Sequence, residues 1–472
     1  VHQTLELIQE LQPMPTQCNG EQLSFEGFAG RKVVGSFDGG AVTPNGGGLL
    51  LRAADKALGL TGKVAACFRD GRAPDQIVHK LDTLIGQRIH GIALGYEDIN
   101  DHDELRHDPV LGLLSDTLAP KRVDTAVLAG KSTLQRLETA SAGGDARYHK
   151  FEVDEAAMEE VFLSIYVAAH KTPPKRIVLD LDATDDPIHG NQEGGFYHGY
   201  YRCHCYLPLY IFDGRHLLVA KLRKADIDAA SGSKEEIRRI VDYVRNAWPD
   251  VEIWLRADSG FARDDLMHWC EQNNVDYVFG LARNKRLQSM ISEQADAAKA
   301  LHEETGKAAR LFKELDYRTL KSWSRSRRVV AKAEHLAKGA NPRFIVTSLP
   351  LDAVEGQHLY ERIYCARGEM ENRIKECQLD LLADRTSAAS MRANQLRLWF
   401  ASFAYVLIDA VRRIGLAGTG LARATCGSVR LKLLKIGAVV TITVRRIKIA
   451  FASACPAQAI MTIAHERLRT AA

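Results

Sequence analysis

The chain has 472 residues, which exceeds one ordinary folding unit, so its length alone predicts about two to four domains. Hydrophobic residues make up 46% of the chain and charged residues 26%, a balance that excludes a disordered or fibrous protein. The formal net charge of +4 is too small to distinguish a nucleic-acid-binding protein from an ordinary enzyme.

The sequence predicts neither a membrane span nor a secretion signal. The longest apolar stretch, residues 398–411, contains a serine and an aspartate and is shorter than the ~20 residues that cross a bilayer. Glu6, Glu10 and Glu21 interrupt the N-terminus, which therefore lacks the pattern of a signal segment. The nine cysteines are scattered, as expected of reduced thiols in a long cytosolic chain. We therefore predict a cytoplasmic protein without a membrane partner.

Residues 1–150 are predicted to form a mainly helical N-terminal domain. Residues 1–30 contain prolines and glycines with little periodicity, and they predict an irregular arm. Between residues 77 and 92, apolar residues recur at the spacing of one helix face, which predicts a helix packed in a core. Lys131–Glu138 contains Ser132 and Thr133, which suit a helix cap. Its polar side chains suit either a DNA-recognition helix or a capped surface helix.

Residues 151–284 alternate between strand and helix patterns, and the order is β-β-β-α-β-α-β. The predicted elements are Ile177–Asp182, Tyr206–Phe212, Leu217–Leu222, a helix Lys234–Ala247, Val251–Ala257, a helix Asp264–Asn273, and Val275–Leu281. This order is that of the ribonuclease H-like fold. The predicted fold class is therefore α/β, with a mixed sheet flanked by helices.

The remaining residues divide into three predicted regions. Residues 285–350 contain charged helical sequence and then short strand patterns, and they predict an inserted, partly β subdomain. Residues 351–413 are predicted to be the second part of the ribonuclease H-like core, and their pattern is helical again from Glu369. Residues 414–472 form a basic C-terminal region.

Positive charge is concentrated toward the C-terminus, where a single acid, Glu466, follows Arg412. The basic residues are Arg412, Arg413, Arg423, Arg430, Lys432, Lys435, Arg445, Arg446, Lys448, Arg467 and Arg469. Such a predominance of basic residues over acidic ones is typical of a surface that contacts phosphate backbone. A solvated basic surface without a partner is the alternative that the sequence leaves open.

Two carboxylates follow predicted strands, and a third begins a later helix. Asp182 ends the first strand, Asp258 follows the fourth, and Glu371 begins the helix after the insertion. Ligand sites form at the carboxyl ends of adjacent strands, so the first two are expected to lie together. Asp180 points to the same strand face as Asp182 because side chains alternate with period two, and it is the main competitor for the first position. Asp185 and Asp186 are interpreted as turn residues.

Three such carboxylates suit phosphodiester chemistry with two metal ions. Two Mg²⁺ ions held ~3.5–4 Å apart activate the attacking oxygen and stabilise the leaving oxygen. Mg²⁺ prefers hard oxygen ligands and keeps several waters, so a few carboxylates from distant parts of the chain suffice.

One cluster of residues and one tryptophan are further candidate sites. The cluster of His198, Cys203, His204 and Cys205 does not have a usual zinc-ligand spacing, and alternation along a strand separates His204 from both thiols. Trp323 has basic neighbours and suits either stacking on a flipped base or packing in a core.

Residues 364–371 carry a recognisable motif. Tyr364, Arg367 and Glu371 match the Tyr-x-x-Arg-x-x-x-Glu signature of cut-and-paste bacterial insertion-sequence transposases, and the chain resembles insertion-sequence family thirteen-eighty. Further motifs of this resemblance are Phe37-Asp38-Gly39-Gly40, Gly95-Tyr96-Glu97-Asp98, Leu105-Arg106-His107-Asp108-Pro109, Cys205-Tyr206-Leu207-Pro208-Leu209, Pro342-Arg343-Phe344 and Glu371-Asn372-Arg373-Ile374-Lys375-Glu376. The resemblance covers nearly the whole chain.

The resemblance implies a DDE transposase whose metal ligands and catalytic residues are Asp182, Asp258 and Glu371. The implied cofactor is a pair of Mg²⁺ ions, for which Mn²⁺ substitutes. The implied partners are double-stranded DNA, as terminal inverted repeats and as target, and a second copy of the chain in a synaptic dimer. Such a protein associates with the nucleoid, and its N-terminal domain binds DNA.

The resemblance also implies DNA contacts at Tyr364, Arg367, Arg373 and Lys375. The family signature continues with a lysine seven residues after the glutamate, where this chain has Gln378. Either Lys375 takes over that phosphate contact or the contact is lost. Two other functions stay open: a ribonuclease H-like nuclease without strand transfer, and a DNA-binding protein with a decayed catalytic site.

Overall fold

The computed structural model describes residues 22–119, 126–141 and 150–471. Most of the predicted N-terminal arm, with Cys18 and the acidic residues before residue 22, lies outside the described residues. The eight cysteines within them are free thiols. No helix in the described ranges is long and apolar enough to cross a membrane.

The N-terminal third contains short strands and seven helices within the described residues. The elements are β1 (Leu23–Phe28), β2 (Arg31–Gly35), β3 (Val42–Thr43), α1 (Leu49–Leu58), α2 (Leu60–Ala66), β4 (Phe68–Asp70), α3 (Leu81–Ala93), α4 (His102–Leu105), α5 (Pro109–Leu114), α6 (Lys131–Glu138), β5 (Phe151–Val153) and α7 (Glu155–Ala168). The core helix predicted from apolar spacing is α3, and it begins at Leu81 because residues 74–76 form a separate 3₁₀ turn.

The middle of the chain forms a large mixed sheet with helices between its strands. The elements are β6 (Arg176–Ala183), β7 (Asp186–Pro187), β8 (Phe196–His198), β9 (Cys203–Tyr206), β10 (Leu209–Asp213), β11 (His216–Lys221), α8 (Ser233–Ala247), β12 (Glu252–Ala257), α9 (Asp264–Gln272), β13 (Asp276–Leu281), α10 (Lys285–Met290), α11 (Ser292–Thr305), β14 (Ala309–Tyr317), β15 (Arg327–Leu336), β16 (Gly339–Ala340) and β17 (Arg343–Thr347). The fold is therefore mixed α/β, as predicted.

The strand order in this sheet is β11-β10-β6-β12-β13-β17-β15-β14, and β16 pairs with β15. The strands β6, β12 and β13 are parallel, whereas their other neighbours in the sheet run antiparallel. The carboxyl ends of the three parallel strands therefore lie at one edge, together with the start of β17. The apolar face of α8, with Ile237, Ile240 and Val244, is buried in the core cluster that includes the sheet.

Residues 285–350 do not build a sheet of their own. The strand β17 pairs with β13 from Leu281↔Phe344 to Val278↔Thr347, and β15 and β14 continue outward from it. An uncovered edge of β13 would leave backbone N–H and C=O groups unpaired, and β17 satisfies them. The strands that the sequence analysis assigned to an inserted subdomain thus extend the main sheet.

The last part of the chain is helical and ends in a hairpin and a helix. The elements are α12 (Gly356–His358), α13 (Gly368–Lys375), α14 (Met391–Ala410), α15 (Cys426–Val429), β18 (Ala438–Ile442), β19 (Ile447–Phe451) and α16 (Gln458–Ala471). A π-helical turn at Leu359–Tyr364 and a 3₁₀ turn at Cys365–Arg367 join α12 to α13. A second π-helical turn, Glu376–Asp380, follows α13.

One apolar core joins the N-terminal helices to the C-terminal region. The helix α14 is buried on almost all sides, as expected of a helix surrounded by protein. Its side chains share a core with Leu50 of α1, Ile89 of α3 and Leu468 of α16. In addition, β18 pairs with β3 through Ala438↔Thr43. Residues 414–471 are therefore packed against the start of the described chain rather than extended from the core.

Candidate active site

Asp182 and Asp258 lie at the same edge of the sheet because the strands that carry them are parallel neighbours. Leu181 of β6 pairs with Ala257 of β12, and each aspartate is the next residue along its strand. The Asp258 Oδ1 atom accepts a hydrogen bond of 2.8 Å from the backbone N–H of Gly260, which fixes the turn after β12. The predicted neighbourhood of these two carboxylates is thus present in the fold.

Arg367 connects the third carboxylate to this edge. Its Nη1 atom is 3.6 Å from Asp182 Oδ2, and its Nη2 atom is 3.4 Å from Glu371 Oε1. Glu371 lies in the first turn of α13, one helical turn after Arg367, so both side chains point to the same side. The guanidinium group therefore brings Glu371 and Asp182 to one place.

Asp182 is the buried carboxylate of this group, and the other two add negative charge near it. Burial raises the pKa of Asp182 to about 7, and the charges of Asp258 and Glu371 add to that rise, whereas Arg367 opposes it. Burial lowers the pKa of Arg367, but the same three carboxylates and Tyr364 outweigh this effect and raise it. The site therefore concentrates negative charge that a cation would stabilise.

The donor set suits a hard divalent cation. Its ligating atoms are carboxylate oxygens, which Mg²⁺ and Mn²⁺ prefer over nitrogen or sulfur. The described residues contain no group of three or more His, Cys, Asp or Glu side chains already placed to hold an ion.

A family model described as transposase DDE domain group 1 matches residues 25–472 of the chain. The chain belongs to this family. DDE transposases are metal-dependent enzymes that cleave DNA, so the family agrees with an acidic site of this composition.

A search of curated proteins found no match. Among solved structures, the chain is similar to one described as a cryo-EM structure of the piggyBac transposase synaptic complex with hairpin DNA. The identity is 10% and the TM-score is 0.40, over 82% of this chain and 79% of that one.

In this DDE transposase, Asp180 has a partner that the sequence analysis missed. Its two oxygens accept hydrogen bonds of 2.5 and 2.7 Å from Arg256, which faces it in the register of β6 and β12. Arg256 also donates to the carbonyl oxygen of Ile363, at the turn that carries Tyr364. Arg256 lies two residues before Asp258, just as Asp180 lies two residues before Asp182. This matching spacing predicts that Arg256 and Asp180 face each other, but only once the register of the two strands is known.

Asp186 is a strand residue rather than the turn residue that the sequence predicted. It begins β7, pairs with Tyr206 of β9 and is almost fully buried. Burial raises the pKa of its carboxyl group well above the usual value, and Asp384 contributes to the rise. The short sheet of β7, β8 and β9 was not predicted, because its strands are too short to show an alternating pattern.

Gly280 lies close to both the Tyr364 hydroxyl group and the turn that follows Asp258. A Cβ atom on Gly280 would be 2.6 Å from the Tyr364 hydroxyl oxygen and 2.9 Å from the Ser259 backbone nitrogen. Only glycine fits there without movement of one of these groups. Gly280 of β13 therefore sets how closely Tyr364 approaches the turn that holds Asp258.

We expect Gly280→Ala to reduce DNA cleavage by about 100-fold, because displacements of about 1 Å at a reacting centre have effects of this size. The readout is the rate of Mg²⁺-dependent cleavage. Gly199→Ala is the matched control, since a Cβ atom there meets no atom within 4 Å. Equal rates for the two variants would mean that the close passage at Gly280 does not position the site.

The helix after Glu371 differs from the predicted geometry. The π-helical turn Glu376–Asp380 interrupts the α-helical spacing, so residue 378 does not continue the face of Glu371. The Gln378 side chain donates a 2.9 Å hydrogen bond to the carbonyl oxygen of Asp185. Lys375 is exposed, whereas Arg373 is largely buried and pairs with Glu376. The expected DNA contact of Arg373 is therefore not supported by its surroundings.

Two further sequence interpretations are resolved by packing. Trp323 is buried and packs edge-on against Tyr317 with ring centroids 5.7 Å apart, so it is a core residue and cannot stack on a flipped base. The α6 helix begins after Gly130, and its cap is not Ser132 or Thr133. Instead, Asp103 from another helix accepts a 3.0 Å hydrogen bond from the Lys131 backbone N–H.

Proposed function

We propose that this DDE transposase mobilises an insertion sequence of the thirteen-eighty type. It binds the terminal inverted repeats, cleaves the element ends and joins their 3′-hydroxyl groups to target DNA. The observation that carries the proposal is that Arg367 pairs with both Asp182 and Glu371 at the sheet edge where Asp258 follows the neighbouring strand. A synaptic dimer is part of the proposal, since two ends must be joined together.

We propose further that the core is ribonuclease H-like. The support is the strand order β11-β10-β6-β12-β13. In this order β11, β10 and β6 are antiparallel neighbours, and β12 and β13 then run parallel to β6. On this interpretation residues 151–284 and 351–413 form the core, residues 1–150 bind DNA, and residues 414–472 add basic surface. The shared core around α14 means that these regions pack as one body.

Asp182, Asp258 and Glu371 would hold the two Mg²⁺ ions. When bound, the ions supply activation of the attacking oxygen and stabilisation of the leaving oxygen. The Arg367 Nη1 atom is buried and makes an ion pair but no hydrogen bond within the described residues, so it remains able to donate to a phosphate oxygen. The Tyr364 hydroxyl beside the Asp258 turn is placed to orient the same phosphate.

The experiment uses the DNA that flanks the reading frame. Short inverted repeats there provide the substrate, and the purified chain is tested for Mg²⁺-dependent cleavage of these ends and for joining to a second DNA. Cleavage with joining supports the transposase. Cleavage without joining favours a nuclease, and binding without cleavage favours a decayed element protein.

The basic C-terminal region contributes fewer free charges than its sequence suggests. Arg412 is buried, Arg430 donates to the backbone oxygens of Ala93 and Asp380, and Lys435 binds Asn45. The exposed cations of the hairpin are Arg445, Arg446 and Lys448. The tip of the β18–β19 hairpin is therefore part of the proposed DNA surface, and Arg423, Lys432 and Arg469 are exposed elsewhere in the region.

We expect Arg445→Gln/Arg446→Gln to weaken DNA binding and to flatten its dependence on salt by about 0.9 per lost phosphate contact. Affinity is measured by fluorescence anisotropy over a series of salt concentrations. Deletion after Arg413 is a poor test because it removes core residues such as Leu433 and Leu468. The control is Lys171→Gln/Lys175→Gln, two exposed lysines before β6. An unchanged slope would remove the hairpin from the DNA interface.

Because the family signature has a lysine at position 378, the resemblance by itself predicts that Gln378→Lys raises end binding or cleavage. Because the Gln378 amide holds the Asp185 carbonyl, we now expect this substitution to give no gain, and Gln378→Ala to lower cleavage. Lys375→Ala should lower end binding, since Lys375 is exposed. Transposition and end-binding assays on the three variants check this. A gain from Gln378→Lys would contradict the positioning role.

A further inference from the structure

A pocket of about 520 Å³ opens beside Asp258. Its walls come from the end of β13, the start of β17 and the π-helical turn that carries Tyr360 and Tyr364, and it reaches Arg367. Such a volume lies in the range of ligand sites, roughly 300–1,000 Å³. Since β13 and β17 lie on the side of β12 away from β6, the pocket extends from Asp258 in the direction opposite to Asp182.

Two arginines line this pocket without a structural role. Arg283 follows β13 and Arg343 begins β17, and both side chains are exposed. Leu281 pairs with Phe344 in antiparallel register, so both arginines emerge at the edge that carries the catalytic carboxylates. Across residues 22–119, 126–141 and 150–471, neither arginine side chain makes an ion pair or a hydrogen bond.

The setting of these arginines contrasts with that of other arginines in the same sheet. Arg256 and Arg328 are engaged by carboxylates and backbone oxygens, which they hold in place. Arg343 instead contributes positive charge near Tyr364. Burial raises the pKa of that tyrosine, while Arg367 and Arg343 oppose the rise. Unpaired guanidinium groups beside an acidic centre provide the charge that an anionic substrate needs there.

The distance along the sheet edge, from Asp258 to the start of β17, suits a second phosphate of the same DNA strand. Adjacent strands are about 4.8 Å apart, so the start of β17 is about 10 Å from the end of β12. Guanidinium groups donate paired, charge-assisted hydrogen bonds that match the geometry of phosphate oxygens. The two arginines therefore lie at a suitable distance from Asp258, and they have the charge and the hydrogen-bond donors to bind a backbone phosphate.

We propose that this pocket, the arginine pocket, is a second phosphate subsite in which Arg283 and Arg343 hold a backbone phosphate next to the scissile phosphodiester at Asp258. The inference rests on the proposed function, because it takes DNA as the substrate of the acidic site. By holding the strand on one side of the cut, the arginine pocket positions the phosphodiester that is cleaved. Arg283 and Arg343 are thus positioning residues for the strand.

The test measures how DNA binding by this chain changes when single phosphate charges are removed from the DNA. The probe is a labelled duplex of the inverted repeat that flanks the reading frame, carrying a single uncharged methylphosphonate at successive positions around the cleavage site. We expect one position to weaken wild-type binding by about tenfold, as for hydrogen bonds to charged groups. Arg283→Gln/Arg343→Gln should show the same loss on unmodified DNA and no further loss at that position.

Lys171→Gln is the matched control, since this exposed lysine lies before β6, at the opposite end of the sheet. It should retain the wild-type pattern. Should the double variant fail to fold, as judged by circular dichroism, the single variants Arg283→Gln and Arg343→Gln replace it. Binding equal to wild type, or an unchanged methylphosphonate pattern in the variants, overturns the arginine pocket.

Binding and cleavage are measured separately, so the two proposals fail differently. Wild-type chain that binds the ends but does not cleave them in Mg²⁺ overturns the proposed function, while the methylphosphonate pattern still decides the subsite. Cleavage by the wild type with an unaffected double variant overturns only the subsite. Wild-type chain that does not bind the end duplex overturns both.

Discussion

Asp182→Asn, Asp258→Asn and Glu371→Gln are each expected to abolish DNA cleavage while end binding stays largely intact. Each change keeps the shape of the side chain but removes a negative charge that the metal ions need. We expect a loss of more than about 100-fold, since even residues that only support metal ligands change activity by about 10–100-fold. Cleavage rates in Mg²⁺ and gel-shift affinities measure the two effects.

Glu369→Gln is the matched control for the third position. Glu369 is exposed on the same turn of α13, two residues before Glu371, and has no role in the proposed site. Its variant should cleave at the wild-type rate. Asp180→Asn tests the first position, and its main effect should be on stability, because it disrupts the buried pair with Arg256. An active Asp182→Asn with an inactive Asp180→Asn would reverse the assignment.

Arg412→Met is expected to lower the free energy of unfolding by about 3–5 kcal/mol, the cost of removing one partner from a buried ion pair. Arg412 is 1% exposed, and its Nη1 atom is 2.5 Å from Glu376 Oε2. Glu376 also accepts a 2.9 Å hydrogen bond from the Cys426 backbone N–H, which ties the π-helical turn after α13 to the start of α15. The measurement is urea unfolding at neutral pH.

The pH dependence of this effect has a defined sign. Burial alone would raise the pKa of Glu376, but Arg412, the Cys426 side chain and Arg373 outweigh it and lower that pKa. A lowered pKa contributes stability above the unfolded value that is lost as pH falls through the folded value. Arg412→Met removes the first of the contributions that lower this pKa, so the pKa of Glu376 should rise and we expect acidification to stabilise Arg412→Met relative to wild type.

Arg445→Met controls for the removal of a positive charge, since Arg445 is exposed. Its free energy of unfolding should change by less than about 0.5 kcal/mol. Arg412→Met/Glu376→Gln should recover part of the lost stability, because it also removes the buried charge that Arg412 compensates. If Arg412→Met has the stability of Arg445→Met, the buried pair does not hold the C-terminal region to the catalytic helix.

The sequence determined the elements that carry a local pattern. The seven strands and helices predicted between Ile177 and Leu281 are all present, with bounds that differ by at most three residues. Alternation and helical spacing reside within one element, so they can be recognised without knowledge of the rest of the chain. The position of Asp258 after a strand and of Glu371 at a helix start followed from the same patterns.

The tertiary structure decided what depends on contacts between distant residues. Strand register pairs Asp180 with Arg256 and leaves Asp182 beside Arg367, although both aspartates occupy the same strand face in the sequence. Packing buries Arg412 against Glu376, although the sequence placed it in a basic surface. The sign and spacing of charged residues are sequence properties, but exposure and pairing are set by which segments meet in the fold, and no local pattern contains that information.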